Sequence, residues 1–192
     1  MKVFKFGGAS VKDAEGVRNV VKVLENHGFE SCLLVVSAMG KTTNALEKVV
    51  KEYFEEGDYQ QWIQKIKEEH IGIAGELFEK NHPIFEEIKI IFDEAESFLK
   101  INKSPNYNFV YDQVVTCGEI ISSKILSSYL KEAGFSNEWL DARDFIKTDA
   151  NYREGLINWE ITEKNILKLD NDKFYVTQGF IGSDDNNFTV SL

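Results

Sequence analysis

Residues 32–37, CLLVVS, form an apolar run with no alternation. A strand with one wet face alternates apolar and polar residues, whereas a strand covered on both faces does not. The run therefore predicts an inner strand of a parallel sheet. Upstream, residues 2–6 (KVFKF) read as a strand. Residues 13–27 carry Val17, Val20, Val21 and Leu24 at i, i+3, i+4 and i+7, which predicts a helix between the two strands. Ser10 or Asp13 fits its N-cap, and Gly28 fits just past its end. Strand, helix, buried strand is a βαβ crossover, so the chain opens as an α/β fold.

The middle of the chain is helical. Leu46, Val49, Val50, Tyr53 and Phe54 hold helical spacing after Thr43, and Gly57-Asp58 breaks it. Two amphipathic segments rich in Glu and Lys follow at about 59–80 and 83–101, separated at His82-Pro83. Their charges read as a solvated face. One long helix is expected from about 107 to 133, ending at Gly134. Residues 137–141 read as a short strand, 159–169 as a helix and 173–178 (KFYVTQ) as a strand.

Composition narrows the partners. The net charge of −10 disfavours nucleic acid and anionic membrane surfaces, though a local cluster of donors can still hold a small anion. No apolar run approaches the ~20 residues of a membrane span. Hydrophobic residues at 43% are enough for a substantial core, and only two prolines occur. Cys32 and Cys117 lie far apart without a CxxC, so a reduced, cytoplasmic protein is expected. His27, His70 and His82 have no metal-ligand spacing, and no protein-built metal site is expected.

Four stretches carry residues suited to chemistry. In KFGGAS, Lys5 precedes Gly7-Gly8; bare backbone N–H groups beside a mobile cation suit a phosphoryl group in transfer, and the same stretch also reads as a plain strand-to-helix turn. In SAMGKTTN, residues 37–44, small hydroxyl residues follow a strand at the end where α/β sheets bind ligands. Thr42 or Thr43 there also reads as a helix cap. In TCGEI, residues 116–120, Val115, Glu119 and Ser122 share one stripe, and Gly118, which costs the helix ~1 kcal/mol relative to alanine, fits the close approach of another element. A carboxylate on such a stripe suits a ligand's ammonium group, although a lone glutamate on a helix is more often a surface residue. Finally, TQGFIGS, residues 177–183, reads as a glycine-flanked loop after the last strand.

Taken in order, KFGGAS, VVSAMGKTTNAL, VTCGEIIS, WLDARDFIKTD and VTQGFIGS resemble the aspartate kinases of the amino-acid kinase superfamily, over residues 2–183. Ala9 departs from that pattern, which usually has threonine there. The resemblance implies a three-layer α/β/α sandwich with a mainly parallel sheet, carrying an extra helical segment at about 42–101. It implies phosphoryl transfer from Mg·ATP to the side-chain carboxylate of L-aspartate, giving 4-phospho-L-aspartate, in lysine, threonine and methionine biosynthesis. Lys5, Gly7 and Gly8 would contact the transferring phosphate. Ser37, Ala38 and Thr43 would line the aspartate pocket, Glu119 would accept from the α-ammonium group, and Val115 and Phe180 would wall the pocket. Arg143 is expected to fix the Asp141–Asp144 turn rather than to catalyse. The nucleophile is a carboxylate, already ionised at neutral pH, so no general base is required.

The resemblance also implies a longer protein. Family members continue into a G-R-x-G-S-D motif, a nucleotide-binding half and regulatory ACT domains. Residues 1–192 are accordingly expected to be the N-terminal, amino-acid-binding part of the kinase domain, inactive alone, and the full-length protein a homo-oligomer. Two other readings stand beside this one: a non-catalytic fragment that binds a metabolite or partner, and an amino-acid kinase with another substrate.

Overall fold

A single parallel sheet organises the chain. Its strands are β1 (Lys2–Phe6), β2 (Cys32–Val36), β3 (Glu138–Trp139) and β4 (Phe174–Gln178), in the spatial order β1-β2-β4-β3. The computed structural model describes all 192 residues. Because all pairings are parallel, the carboxyl ends of the strands share one edge. Helix α1 (Ala14–His27) makes the β1–β2 crossover. Asp13 caps it by accepting from the Gly16 N–H at 2.8 Å, and Gly28 closes it at φ +77°. Of the two expected caps, Asp13 is used.

Three helices, α2 (Thr42–Phe54), α3 (Tyr59–Leu77) and α4 (Ile84–Ile101), form the helical segment. They are not a separate domain. One continuous core joins Leu34, Val36 and Val176 of the sheet to Leu24 of α1, Leu46 of α2, Ile66 of α3 and Phe92 of α4. Phe4 and Phe6 of β1 pack against the same core, so Val3 and Lys5 project to the opposite face. Over β1 that face lies open, with Val3 64% exposed, whereas over β4 Tyr175 and Thr177 are buried. No helix is long and apolar enough to cross a membrane.

The single helix expected over 107–133 is two: α5 (Tyr107–Val115) and α6 (Cys117–Glu132). Thr116 separates them. Its hydroxyl donates to the Asp112 carbonyl at 2.6 Å, the back-bonding by which a threonine bends a helix, and the Ile120 N–H reaches the Thr116 carbonyl at only 3.5 Å. The TQGFIGS stretch also differs from expectation. Past the turn at Gly179-Phe180, Ile181–Ser183 is strand β5, paired antiparallel with β6 (Thr189–Ser191). The Asp141–Asp144 turn is a short helix, α7 (Ala142–Phe145), and the predicted 159–169 helix is α8 (Trp159–Ile166).

Candidate functional site

The strand order sets three motifs side by side on the carboxyl edge: Gly7-Gly8 after β1, residues 37–43 after β2, and Gly179-Phe180 after β4. The first two touch backbone to backbone. The Gly40 N–H donates to the Gly8 carbonyl at 3.0 Å, and a Cβ added at Gly8 would stand 2.5 Å from the Ala38 carbonyl oxygen. Gly8 is therefore required by packing. Gly7 is different, because a Cβ there would meet nothing within 4 Å. Its backbone faces open space. Lys5 is exposed at the same end of β1, on the face opposite the core.

Helix α6 reaches this edge from the core side. The Ser122 hydroxyl donates to the Ser37 carbonyl at 2.8 Å. A Cβ on Gly118 would lie 3.1 Å from the Thr42 Cγ2 and 3.2 Å from the Ala38 Cβ. The helix glycine thus exists for close approach to the 37–43 loop, and that approach places Glu119 against Ala38. Neither Thr42 nor Thr43 caps α2: its N-cap is Lys41, with no side-chain cap bond. Thr42 instead turns inward and is buried, and Thr43 stays half-buried.

Glu119 is no surface residue. It is 3% exposed, and its Oε2 has no hydrogen-bond partner. Burial pushes its carboxyl up to about 7, with the backbone N–H groups of Glu119 itself and of Ala38 pulling partly back. A buried carboxylate oxygen with no donor is costly unless a cation or hydrogen-bond donor comes to it. Val115 lies one turn before Glu119, is fully buried, and belongs to the main core. Phe180 lies at the turn after β4, 38% exposed, with φ +72°. The Leu192 N–H donating to its carbonyl at 2.9 Å holds that left-handed conformation, which favours glycine.

The structure therefore brings Gly8, Ser37, Ala38 and Glu119 into one contact set. It puts Gly7, Lys5, Thr43 and Phe180 along the same edge and Val115 behind it. Arg143 lies away from this set. It chelates Asp141 through Nε at 2.9 Å and Nη2 at 2.6 Å, as expected for a residue that fixes the turn. Both border a cleft of about 550 Å³ between α4 and α6; that cleft contains none of the nine predicted site residues. No three His, Cys, Asp or Glu side chains converge as a metal site.

Two buried polar residues escaped the sequence reading. Asp112, with no exposed surface, accepts from the Ser191 hydroxyl at 2.6 Å, the Ser191 N–H at 3.0 Å and the Arg153 N–H at 2.9 Å, and so ties α5 to β6. His70, on α3, donates from Nδ1 to the Ile66 carbonyl at 2.8 Å and lies 3.4 Å through Nε2 from the Thr42 hydroxyl. Both had a readable signal. Asp112 interrupts the apolar stretch from Val110 to Val115, and His70 sits in the stripe of Ile63, Ile66 and Ala74.

The fold and the sequence are shared with known proteins. A model of the amino acid kinase family matches residues 1–191. The aspartokinase of Chlamydia trachomatis is 29% identical over 99% of this chain and 42% of its own length. Lysine-sensitive aspartokinase 3 of Escherichia coli is 27% identical over 99% of this chain and 42% of its own. The solved structure of E. coli aspartokinase III with lysine and aspartate superposes on all of this chain at a TM-score of 0.88, with 25% identity, covering 43% of that protein. The same enzyme in complex with aspartate and ADP gives a TM-score of 0.85. The chain spans less than half the length of these relatives.

Proposed function

Because this chain belongs to the amino acid kinase family, we propose that it is the amino-acid-binding part of an aspartate kinase, which transfers the γ-phosphoryl group of ATP to the side-chain carboxylate of L-aspartate. Glu119 carries the reading. A buried carboxylate with one free oxygen, set among Ser37, Ala38 and Gly118, is built to receive a small cation, and an α-ammonium group supplies one. The relatives that superpose on the whole chain include an aspartokinase solved with aspartate and ADP.

The division of labour follows from the edge. With the ammonium group at Glu119, the ligand's other end extends along the 37–43 loop toward Gly8. There the open backbone of Gly7 and the exposed Lys5 suit a phosphate. When bound, Mg·ATP supplies the phosphoryl group, and the metal is assigned to the nucleotide's own oxygens. The obstacle is the approach of two anions. Lys5 and backbone N–H groups offset that repulsion by position and charge, and no side chain needs to remove a proton. The nucleotide-binding half and the regulatory domains are assigned to the part of the protein beyond these residues, and this chain alone is expected not to turn over.

Calorimetric titration of the chain with L-aspartate tests the reading. Glu119 must be ionised to hold an ammonium group, so affinity should fall about tenfold per pH unit below about 7. Glu119→Gln should weaken binding and flatten this dependence. Aspartate affinity indifferent to both pH and Glu119→Gln would overturn the assignment.

A further inference from the structure

A polar contact links α3 to the start of α2, where the 37–43 loop of the candidate site ends. His70 is 1% exposed, and the ring of Phe92 from α4 lies edge-on at 5.7 Å. Its Nδ1 can only donate to the Ile66 carbonyl, so in the neutral ring Nε2 is left with a lone pair. Burial disfavours the imidazolium form, and the hydrogen bond to the Ile66 carbonyl and then Glu69 on the same helix oppose that only in part. The group facing the lone pair is the Thr42 hydroxyl, at 3.4 Å. Thr42 does not cap its helix, although it stands at the first helical position. Its hydroxyl is turned instead toward α3, and its methyl group lies against Gly118.

We propose that His70 is a positioning residue for the aspartate site. Its Nε2 lone pair accepts from the Thr42 hydroxyl, which fixes the 37–43 loop against Gly118 and so sets Ala38 beside Glu119. The proposal rests on the aspartate reading for its consequence but not for its geometry. Thr42 is also held by its backbone N–H, which donates to the Met39 carbonyl at 2.9 Å, so the hydroxyl anchors the loop from a second direction. The helical segment then has a task beyond adding core, because it braces the loop from behind.

Nuclear magnetic resonance of the chain near neutral pH, paired with L-aspartate titration, tests this. The His70 ring should carry its proton on Nδ1. Thr42→Val keeps the size and apolar contact of the side chain and removes only the donor. It should shift or broaden the backbone amide signals of residues 38–43 and of Gly118 and Glu119, and weaken L-aspartate binding about three- to tenfold. His70→Leu should do the same, and the double variant should be no worse than either alone. His70→Gln, whose side-chain oxygen can accept from Thr42, should restore part of the affinity. A proton on Nε2, loop signals and affinity untouched by Thr42→Val, or effects that simply add would each overturn the proposal. So would a lower melting temperature with unchanged affinity, since that is a packing role alone. If the loop responds as expected but the unaltered chain does not bind L-aspartate, the brace stands and the aspartate reading falls. If L-aspartate binds equally to all variants, the reverse holds.

Discussion

At the scale of the residue, Glu119 carries the largest electrostatic strain in the candidate site. Its carboxyl titrates at about 7 in the folded chain against an ordinary value of 4.5. Between those values the folded state holds a proton that the unfolded state has released, so stability falls as pH rises through this window and levels off above about 7. Glu119→Gln removes the ionisation and should stabilise the empty protein at neutral pH by about 1–3 kcal/mol. Urea unfolding on both sides of the window checks this: the two proteins should differ near neutral pH and converge toward pH 4.5. A residue that lowers stability when empty and gains a partner when loaded is what a binding site would contain. The motif around Glu119 was legible from the stripe of Val115, Glu119 and Ser122. Its burial was not, because the elements that cover it come from residues 37–46, some 75 positions upstream.

Elements were legible where their pattern is local. The α1 and β2 boundaries fell within a residue or so of expectation, since periodicity and caps lie within the segment. The break at Thr116 was not visible, because valine, threonine and cysteine continue a helical pattern and the bend comes from one side-chain hydroxyl choosing the Asp112 carbonyl. Strand β5 was hidden for a different reason: its partner β6 supplies the pairing, and three residues that include a glycine and a serine carry little strand signal of their own. Gly8 gives the sharpest test at this scale. The sequence suggested that both glycines serve a ligand, and at Gly8 packing against the Ala38 carbonyl adds a separate requirement for glycine. Gly8→Ala should force the two loops apart and cost about 2 kcal/mol or more by thermal unfolding. Gly7→Ala, with open space before it, should leave stability within about 1 kcal/mol.

For the molecule as a whole, the α/β class followed from one βαβ unit, and the parallel order β1-β2-β4-β3 fits it. That order placed scattered motifs on one edge, which no local pattern could do. The charge distribution makes a separate prediction. Several ion pairs, such as Lys164–Glu160 and Lys173–Glu138, are solvent-exposed, and pairs of this kind contribute little. The net charge of −10 repels itself at long range. Added salt should therefore raise the melting temperature slightly, by no more than about 3 °C. A marked fall on adding salt would mean that the exposed pairs contribute more than their geometry suggests.

The hydrogen bond from Gly40 to Gly8 has a mechanical consequence. No side chain stands between the two loops at this point, and the separation is fixed by backbone on both sides. Thermal displacement of one loop is then shared by the other, so fluctuation at this edge is largely common-mode. Two reactants seated on such a pair would drift together through the protein's breathing motions and keep their mutual alignment, which is the quantity that a transfer between them depends on.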